Sequence, residues 1–159
     1  MTQAQLPEDL RTTTSIDPET IPFARLERDW GTTYMKLLRL SVPENSFTNI
    51  IRYPAGVTLA THLHTGTVDV YTFEGRWRYL EYDWEATAGS YAHEPAGTVH
   101  TLRIEEETLA MFIVNGGFVY FGPNGEFLRY QDAATTLKDC QAALARDGLE
   151  LPAAVYEQD

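Results

Sequence analysis

The sequence predicts an all-β barrel followed by one short C-terminal helix. Short segments rich in β-branched and aromatic residues recur along the chain, Gly, Pro or Asn bound most of them, and the periodicity becomes helical near the C-terminus. With 43% hydrophobic and 12% aromatic residues, the 159-residue chain can form one domain with a substantial core. We therefore expect a single domain over residues 1–159, with an N-terminal arm (1–18), a barrel (33–130) and a C-terminal helix (132–147).

Eight segments are predicted to be strands, because each combines Val, Ile, Thr, Tyr or Phe with turn-forming residues at a boundary. Many short strands at regular spacing are typical of a sandwich or barrel. Gly75 suits a tight turn between two of them, and the segment Pro123-Asn124-Gly125 predicts a hairpin turn. The predicted strands are 33–40, 47–53, 67–73, 76–82, 91–94, 99–104, 109–114 and 118–121.

The C-terminal helix is indicated by Leu137, Cys140 and Leu144, which fall at helical spacing. Asp132 can cap its start and Gly148 can end it. We expect this helix to pack on the outside of the barrel, as a packing or dimer element without a chemical role. Cys140 is the single cysteine of the chain, so it forms no internal disulfide and is expected to be a small buried residue.

The charge balance disfavours two classes of partner. The chain has 23 acidic and 12 basic residues and a net charge of -11, which repels nucleic acid and anionic membrane surfaces. The N-terminal sequence lacks the apolar core of a signal peptide, and no stretch approaches the roughly 20 apolar residues of a membrane span. A cytoplasmic protein without a nucleic-acid or membrane partner is expected.

All four histidines lie between residues 62 and 100. In a strand, side chains two residues apart share a face, so His62 and His64 are expected side by side with Leu63 turned away. A third imidazole from an adjacent strand, His100, would complete one face of a coordination sphere and leave positions open for water, substrate or oxygen. The sequence therefore predicts a divalent transition metal on His62, His64 and His100.

Glycine and proline recur at fixed distances from these histidines. The spacing is Gly56-x5-His62-x-His64-x3-Val68-x6-Gly75 and then Gly89-x5-Pro95-x-Gly97-x2-His100. This spacing resembles both signature motifs of the cupin superfamily. The resemblance implies an antiparallel cupin jelly-roll barrel that holds its metal near one mouth.

The chain departs from the cupin pattern at one ligand position. Val68 occupies the place that usually holds a glutamate ligand, and Asp69 is one residue out of register, so a regular strand turns it to the opposite face. Asp69 is expected to be solvated or to contact a metal ligand rather than the metal itself. It would reach the metal only if a bulge changed the direction of its side chain. A neutral three-histidine site leaves the ion its full charge, which favours anionic bidentate ligands such as the enolate of a diketone.

Two groups of cupins have a closer resemblance to the segment 54–102. The run 75–84, with 89–91 and 94–102, is similar to 2,4′-dihydroxyacetophenone dioxygenases, and the segment 54–64 with its triad is similar to acetylacetone (β-diketone) dioxygenases. The resemblance implies a non-haem Fe(II) dioxygenase that takes O2 and a small ketone and cleaves a carbon-carbon bond. Zn or Ni are the other ions that the isolated protein can carry.

Glu94 is the candidate catalytic residue, since the diketone-cleaving relatives also carry a glutamate six residues before the last histidine. It could accept the second N–H of a histidine ligand or bind the metal, although a glutamate before a proline turn is often exposed. His93 must face the other way in a regular strand, so a surface or partly buried position is expected, with an outer proton carrier as the alternative.

Four aromatic residues are expected to form an apolar wall or core rather than ligand contacts: Tyr71, Trp77, Tyr79 and Phe112. Two arginines, Arg76 and Arg78, are expected to face solvent, with steering of an anionic substrate as the alternative.

A second functional class also accounts for the three histidines. It is a non-catalytic, zinc-binding sensory cupin that resembles the cupin domain of anti-sigma factors. Those proteins add a helical partner-binding segment, which the short arm here does not provide, and a metal-free sugar-nucleotide epimerase is disfavoured by the triad. The cupin resemblance also implies a homodimer or a higher homo-oligomer.

Overall fold

The computed structural model describes residues 13–157, which form eleven strands and one α-helix, with short 3-10 turns at Pro18–Thr20 and Ala153–Val155. The predicted all-β fold with a C-terminal helix is confirmed. Residues 1–12 of the predicted arm lie outside the described residues. In chain order the elements are β1 (Ala24–Arg28), β2 (Gly31–Ser41), β3 (Ser46–Tyr53), β4 (His62–His64), β5 (Val68–Tyr79), β6 (Glu85–Thr87), β7 (Tyr91–Glu94), β8 (Val99–His100), β9 (Leu102–Asn115), β10 (Phe118–Phe121), β11 (Phe127–Gln131) and α1 (Ala133–Arg146).

The strands of the described range form two antiparallel sheets. The larger has seven strands in the order β1-β2-β3-β9-β5-β6, with β7 also paired to β5, and the smaller has the order β11-β10-β4-β8. Consecutive strands often belong to different sheets, as in a jelly roll, and the inward-facing side chains fill the space between the sheets. The histidine strands β4 and β8 are neighbours in the smaller sheet, which brings distant parts of the chain together.

Alternation along β3 shows which face is interior. Its buried residues are Phe47, Asn49, Ile51 and Tyr53, and the residues between them are partly exposed. This is the period-two pattern of a strand with one face in a core. The stripe is apolar or aromatic except for the amide of Asn49.

Gly75 forms a bulge inside one long strand, so the predicted turn at this residue is wrong. The predicted strands 67–73 and 76–82 are both parts of β5, whose register against β9 shifts around Gly75. Gly75 has φ 93°, and a Cβ there would collide with the carbonyl oxygen of Glu107. A bulge inserts a residue and reverses the alternation, so Val68 and Val70 face inward before it and Trp77 and Tyr79 after it.

Other strands also differ from their predicted bounds. The predicted strands 99–104 and 109–114 are observed as β8 and a fourteen-residue β9. Strands β1, β6 and β11 were not predicted, and β1 precedes the predicted start of the barrel at residue 33. Strands β6 and β11 are short and largely exposed, so they contain few buried apolar residues from which a strand could be predicted.

The helix and the hairpin turn agree with the sequence. Asp132 caps α1, accepting from the Thr135 amide, and Thr135 returns the contact in a capping box. The segment after Phe121 turns back into β11 through a hydrogen bond from the Gly125 amide to the Gly122 carbonyl. Cys140 is buried on the inner side of the helix, and burial raises the pKa of its thiol to about 12. An inert packing role for Cys140 follows.

The helices within residues 13–157 are too short or too polar to cross a membrane.

Candidate metal centre

The three predicted ligands converge inside the barrel. His62 and His64 lie on the inner face of β4 with Leu63 between them, and His100 lies directly opposite His62 on β8. All three side chains are buried, and one nitrogen from each lies within 4.8 Å of the others. The protein therefore has the three-histidine site that the sequence predicts.

The orientation of two rings is suited to one ion. His62 Nδ1 lies 2.9 Å from the Ala60 carbonyl, to which its N–H donates, and this leaves the Nε2 lone pair free. The Nε2 atoms of His64 and His100 are 2.9 Å apart. Two nitrogens that each bind one ion at about 2.1 Å are separated by about 3 Å, so these residues fit a transition metal.

Burial keeps the imidazoles neutral. Burial is the main cause that lowers the pKa of His62 to about 4, of His64 to about 2 and of His100 to about 3, and neighbouring histidines contribute to the lowering of the last two. Metal ions bind the neutral ring, so no proton has to be displaced from these residues at neutral pH.

Glu94 supplies a carboxylate beside the triad. It lies on β7 directly opposite Val68 of β5, and both side chains are buried. Its Oε2 is 3.4 Å from His64 Nδ1 and 3.9 Å from His100 Nε2. Burial raises the pKa of Glu94 to about 7, which a hydrogen bond from Tyr79 opposes. A carboxylate from the strand paired with β5 thus lies beside the triad, opposite the valine at position 68.

Tyr79 positions this carboxylate, a contact that the sequence interpretation missed. Its hydroxyl donates to Glu94 Oε1, and its ring stacks on His100 with centroids 3.6 Å apart. Burial raises the pKa of Tyr79 well above its usual value, so the hydroxyl is a donor. Alternation counted from Val68 would place Tyr79 on the outer face, and the bulge at Gly75 was the signal that could have corrected this.

Asp69 lies outside the site. It is on the outer face of β5, where its carboxylate accepts hydrogen bonds from Tyr91 and His93. These bonds lower the pKa of Asp69. His93 is 51% exposed, so both residues occupy the surface positions that alternation predicts.

The predicted aromatic wall is only partly present. Phe112 lines the cavity beside the triad, and Trp77 is buried with its Nε1 donating to Thr72 Oγ1 at 2.9 Å. Tyr71 is 41% exposed on the outer face, so its predicted place in the wall is wrong.

The two arginines of β5 form ion pairs at the surface. Arg76 pairs with Glu85 and Glu106, and Arg78 pairs with Glu105. Both side chains are 37% exposed. They face solvent as expected and do not line the cavity of the triad.

A cavity of about 70 Å³ extends from the triad between the sheets. Glu94, His62 and His64 border it at one end, and most of its wall is apolar. In the described residues, five buried side-chain atoms lack a hydrogen-bond partner, and all belong to the triad or the cavity wall. They are His64 Nδ1, His100 Nδ1, Trp30 Nε1, Asn49 Oδ1 and Arg129 Nε.

The chain is similar to a known family and to one curated enzyme. Residues 11–119 match the model of the ChrR cupin-like domain. The chain is 32% identical over 88 residues to the acetylacetone-cleaving enzyme of Acinetobacter johnsonii, a match that covers 53% of this chain and 57% of that enzyme. The chain thus spans little more than half the length of this relative.

Solved structures share the fold over most of the chain. An RmlC-like cupin from Ralstonia eutropha JMP134 has a TM-score of 0.81 at 26% identity and covers 89% of this chain and 93% of its own. A second cupin-like protein from that organism has a TM-score of 0.81 at 28% identity over 96% and 94% of the two chains. An acetylacetone dioxygenase from Acinetobacter johnsonii has a TM-score of 0.74 at 20% identity over 90% and 99%, a likeness of fold.

Proposed function

Because the chain belongs to the ChrR cupin-like domain family, we propose that His62, His64 and His100 hold one divalent transition metal, Fe(II). The proposed activity is that of a non-haem Fe(II) dioxygenase which cleaves a carbon-carbon bond in a small diketone or aryl hydroxyketone. The observation that carries this proposal is the buried neutral triad with a carboxylate beside it at the end of a largely apolar cavity. The similarity to an acetylacetone-cleaving enzyme supports the same substrate class.

When bound, Fe(II) supplies open coordination positions for a chelating ketone and the electrons that activate O2. The chain contributes three uncharged ligands. The position on β5 opposite Glu94 is occupied by Val68, which has no carboxylate. Apolar side chains around the cavity exclude bulk water. One diketone and one O2 would give a carboxylic acid and a dicarbonyl fragment, so both oxygen atoms end in the products.

Glu94 is proposed to handle the proton of the substrate. A diketone must lose a proton to bind as its enolate, and the carboxylate of Glu94 lines the cavity beside His64. Tyr79 holds one carboxylate oxygen and leaves the other directed toward the triad. This geometry suits a general base that also orients a histidine ligand.

Oxygen uptake tests the activity directly. Protein reconstituted anaerobically with Fe(II) should consume O2 when given acetylacetone or an aryl hydroxyketone, and one carbon-carbon bond should be cleaved per O2. An oxygen electrode and product analysis measure both quantities, and zinc-reconstituted protein is the control. Absence of uptake with every chelating ketone would contradict the proposal.

Replacing Glu94 by Gln is expected to lower kcat about 100-fold while metal affinity changes less than about tenfold, because the amide keeps the shape but takes no proton. Tyr79→Phe keeps the ring on His100 and removes only the hydroxyl, so about a tenfold loss is expected. Steady-state kinetics and metal titration measure the two effects. Equal losses of metal affinity and activity in Glu94→Gln would instead make this residue a metal ligand.

A zinc-binding sensory cupin is the second candidate, and the match to the ChrR cupin-like domain favours it. Tight zinc in protein purified from cells, together with no oxygen uptake under Fe(II), would support this function. A homodimer and a cytoplasmic location remain predictions, and sedimentation velocity measures the first.

A further inference from the structure

The inner stripe of β3 contains one polar residue, Asn49, whose amide oxygen lacks a hydrogen-bond partner in the described part of the chain. Asn49 is 2% exposed, and its Oδ1 has no hydrogen-bond partner among residues 13–157. Leaving a buried amide unpaired is costly, and such a group in a native protein calls for a cause. Asn49 lines the same cavity as His62 and His64, so a ligand in that cavity can supply the partner.

Arg129 is a cation in the same wall without a carboxylate partner. The ion pairs among residues 13–157 do not include it, although the chain has 23 acidic and only 12 basic residues. Its Nη2 donates to Gln131 Oε1 at 2.6 Å, the guanidinium also hydrogen-bonds the Tyr120 hydroxyl, and its Nε is buried without a partner. The guanidinium therefore keeps both a charge and a donor for something else in the cavity.

Two aromatic rings fix the position of this guanidinium. Its Cζ lies 5.3 Å from the ring centroid of Trp30 and 4.7 Å from that of Tyr120. Tyr120 also contacts His62, with centroids 5.2 Å apart, so this ring lies between the triad and Arg129. Trp30 adds a buried Nε1–H that finds no acceptor among residues 13–157. The arrangement is pre-organised by these ring contacts, and Tyr120 touches both the guanidinium and His62.

Two of the three unpartnered atoms are donors, because arginine Nε–H and indole N–H only donate. The unpartnered atom of Asn49 is an acceptor, Oδ1, so this amide contributes a donor only when it rotates to exchange its oxygen and its NH₂. A positive charge with further donors is complementary to a carboxylate. A neutral ketone arm would leave the charge of Arg129 unbalanced.

We propose that Arg129, Trp30 and Asn49 form a carboxylate subsite, so that the cavity takes a small diketone with a carboxylate on one arm. The ligand-free cavity of about 70 Å³ is smaller than such a molecule, so its walls must move apart when the ligand binds. The diketone end lies at the triad and the carboxylate end reaches Arg129 past Tyr120. The diketone part of this ligand rests on the proposed function of the triad. The carboxylate end follows from the cavity wall.

Calorimetric titration of zinc-loaded protein tests the subsite without turnover. The probes are succinylacetone, a diketone with a carboxylate on a two-carbon arm, and heptane-2,4-dione, in which a methyl replaces that carboxylate. Succinylacetone is expected to bind about 10- to 100-fold more tightly. In Arg129→Met this preference should disappear through weaker binding of the acid, while the Kd of the neutral diketone changes less than about threefold.

Arg39→Met is the matched control for charge. Arg39 pairs with Glu44 at the surface, away from the cavity, so the substitution removes the same charge and should keep the preference for the acid. Retained metal content and an unchanged circular dichroism spectrum show that Arg129→Met has folded. Loss of the preference in both variants would overturn the subsite in favour of a net-charge effect.

Asn49→Leu gives a readout that a structural role would not produce. Leucine has a similar size and removes an unsatisfied amide, so the ligand-free variant should melt about 2–4 °C higher, while its affinity for succinylacetone falls severalfold. A lower Tm with unchanged acid binding would show that Asn49 serves the fold rather than the ligand.

The outcomes separate this inference from the proposed activity. Equal affinity of the wild-type protein for both probes overturns the subsite, and oxygen uptake with the neutral diketone would still support the dioxygenase. An acid preference that depends on Arg129, without oxygen uptake under Fe(II), establishes the subsite and contradicts the dioxygenase.

Discussion

Replacement of His62, His64 or His100 by alanine is expected to lower metal affinity at least about 100-fold. Each variant removes one of three ligands, and the remaining pair lacks the facial arrangement that holds the ion. Removing residues that merely orient ligands already costs about 10- to 100-fold, so loss of a ligand should cost no less. Elemental analysis of protein purified without added metal measures the stoichiometry.

His93→Ala is the matched control, because this histidine is paired with Asp69 on the outer face. The variant should keep full metal content, as should Cys140→Ser. A bound ion also stabilises the folded state, so a chelator should lower the Tm of the wild type and of His93→Ala but not of the triad variants. Full stoichiometry in all three triad variants would show that the ion binds elsewhere.

Replacement of Gly75 by alanine is expected to destabilise the protein by about 3–4 kcal/mol. A side chain at φ 93° costs about 1–2 kcal/mol, and the added Cβ also collides with the Glu107 carbonyl and with Thr108. Relief of this collision requires the bulge between β5 and β9 to open. Because the bulge sets the direction of Tyr79, its contact with Glu94 should be lost as well.

Gly89→Ala separates the two contributions. Gly89 has φ 86°, and a Cβ there would meet nothing within 4 Å, so only the backbone cost of about 1–2 kcal/mol is expected. Urea denaturation of both variants gives the difference in the free energy of unfolding. If both variants lost the same free energy of unfolding, the collision of the added Cβ at Gly75 would contribute nothing to the destabilisation.

The histidine triad could be predicted from the sequence for a local reason. His62 and His64 share a face wherever the segment is a strand, whatever surrounds it, and the spacing of the motifs supplied His100. Alternation also placed Asp69 and His93 on the outer face. The helix bounds were predictable because the cap at Asp132 and the period of α1 depend on near neighbours.

The position of Glu94 beside the triad could not be derived from local sequence patterns. Its position before the triad was noted, but its place opposite Val68 depends on the register of β5 against β7. The sequence assigned Tyr79 to an apolar wall or core and did not predict its contact with Glu94. That contact exists because the bulge reverses the alternation of β5. A strand's parity can be counted from sequence only until an irregularity changes it.

The sequence by itself therefore determined the fold class, the three histidines and the outward direction of Asp69, because each depends on the period of one strand or on a linear motif. Only the tertiary structure decided the wall of the cavity. Trp30 comes from the turn before β2, Asn49 from β3 and Arg129 from β11, and no local pattern relates them. Their common property is a polar atom in the wall of one cavity that has no hydrogen-bond partner among residues 13–157, and this depends on the neighbours that the folded chain places around each side chain.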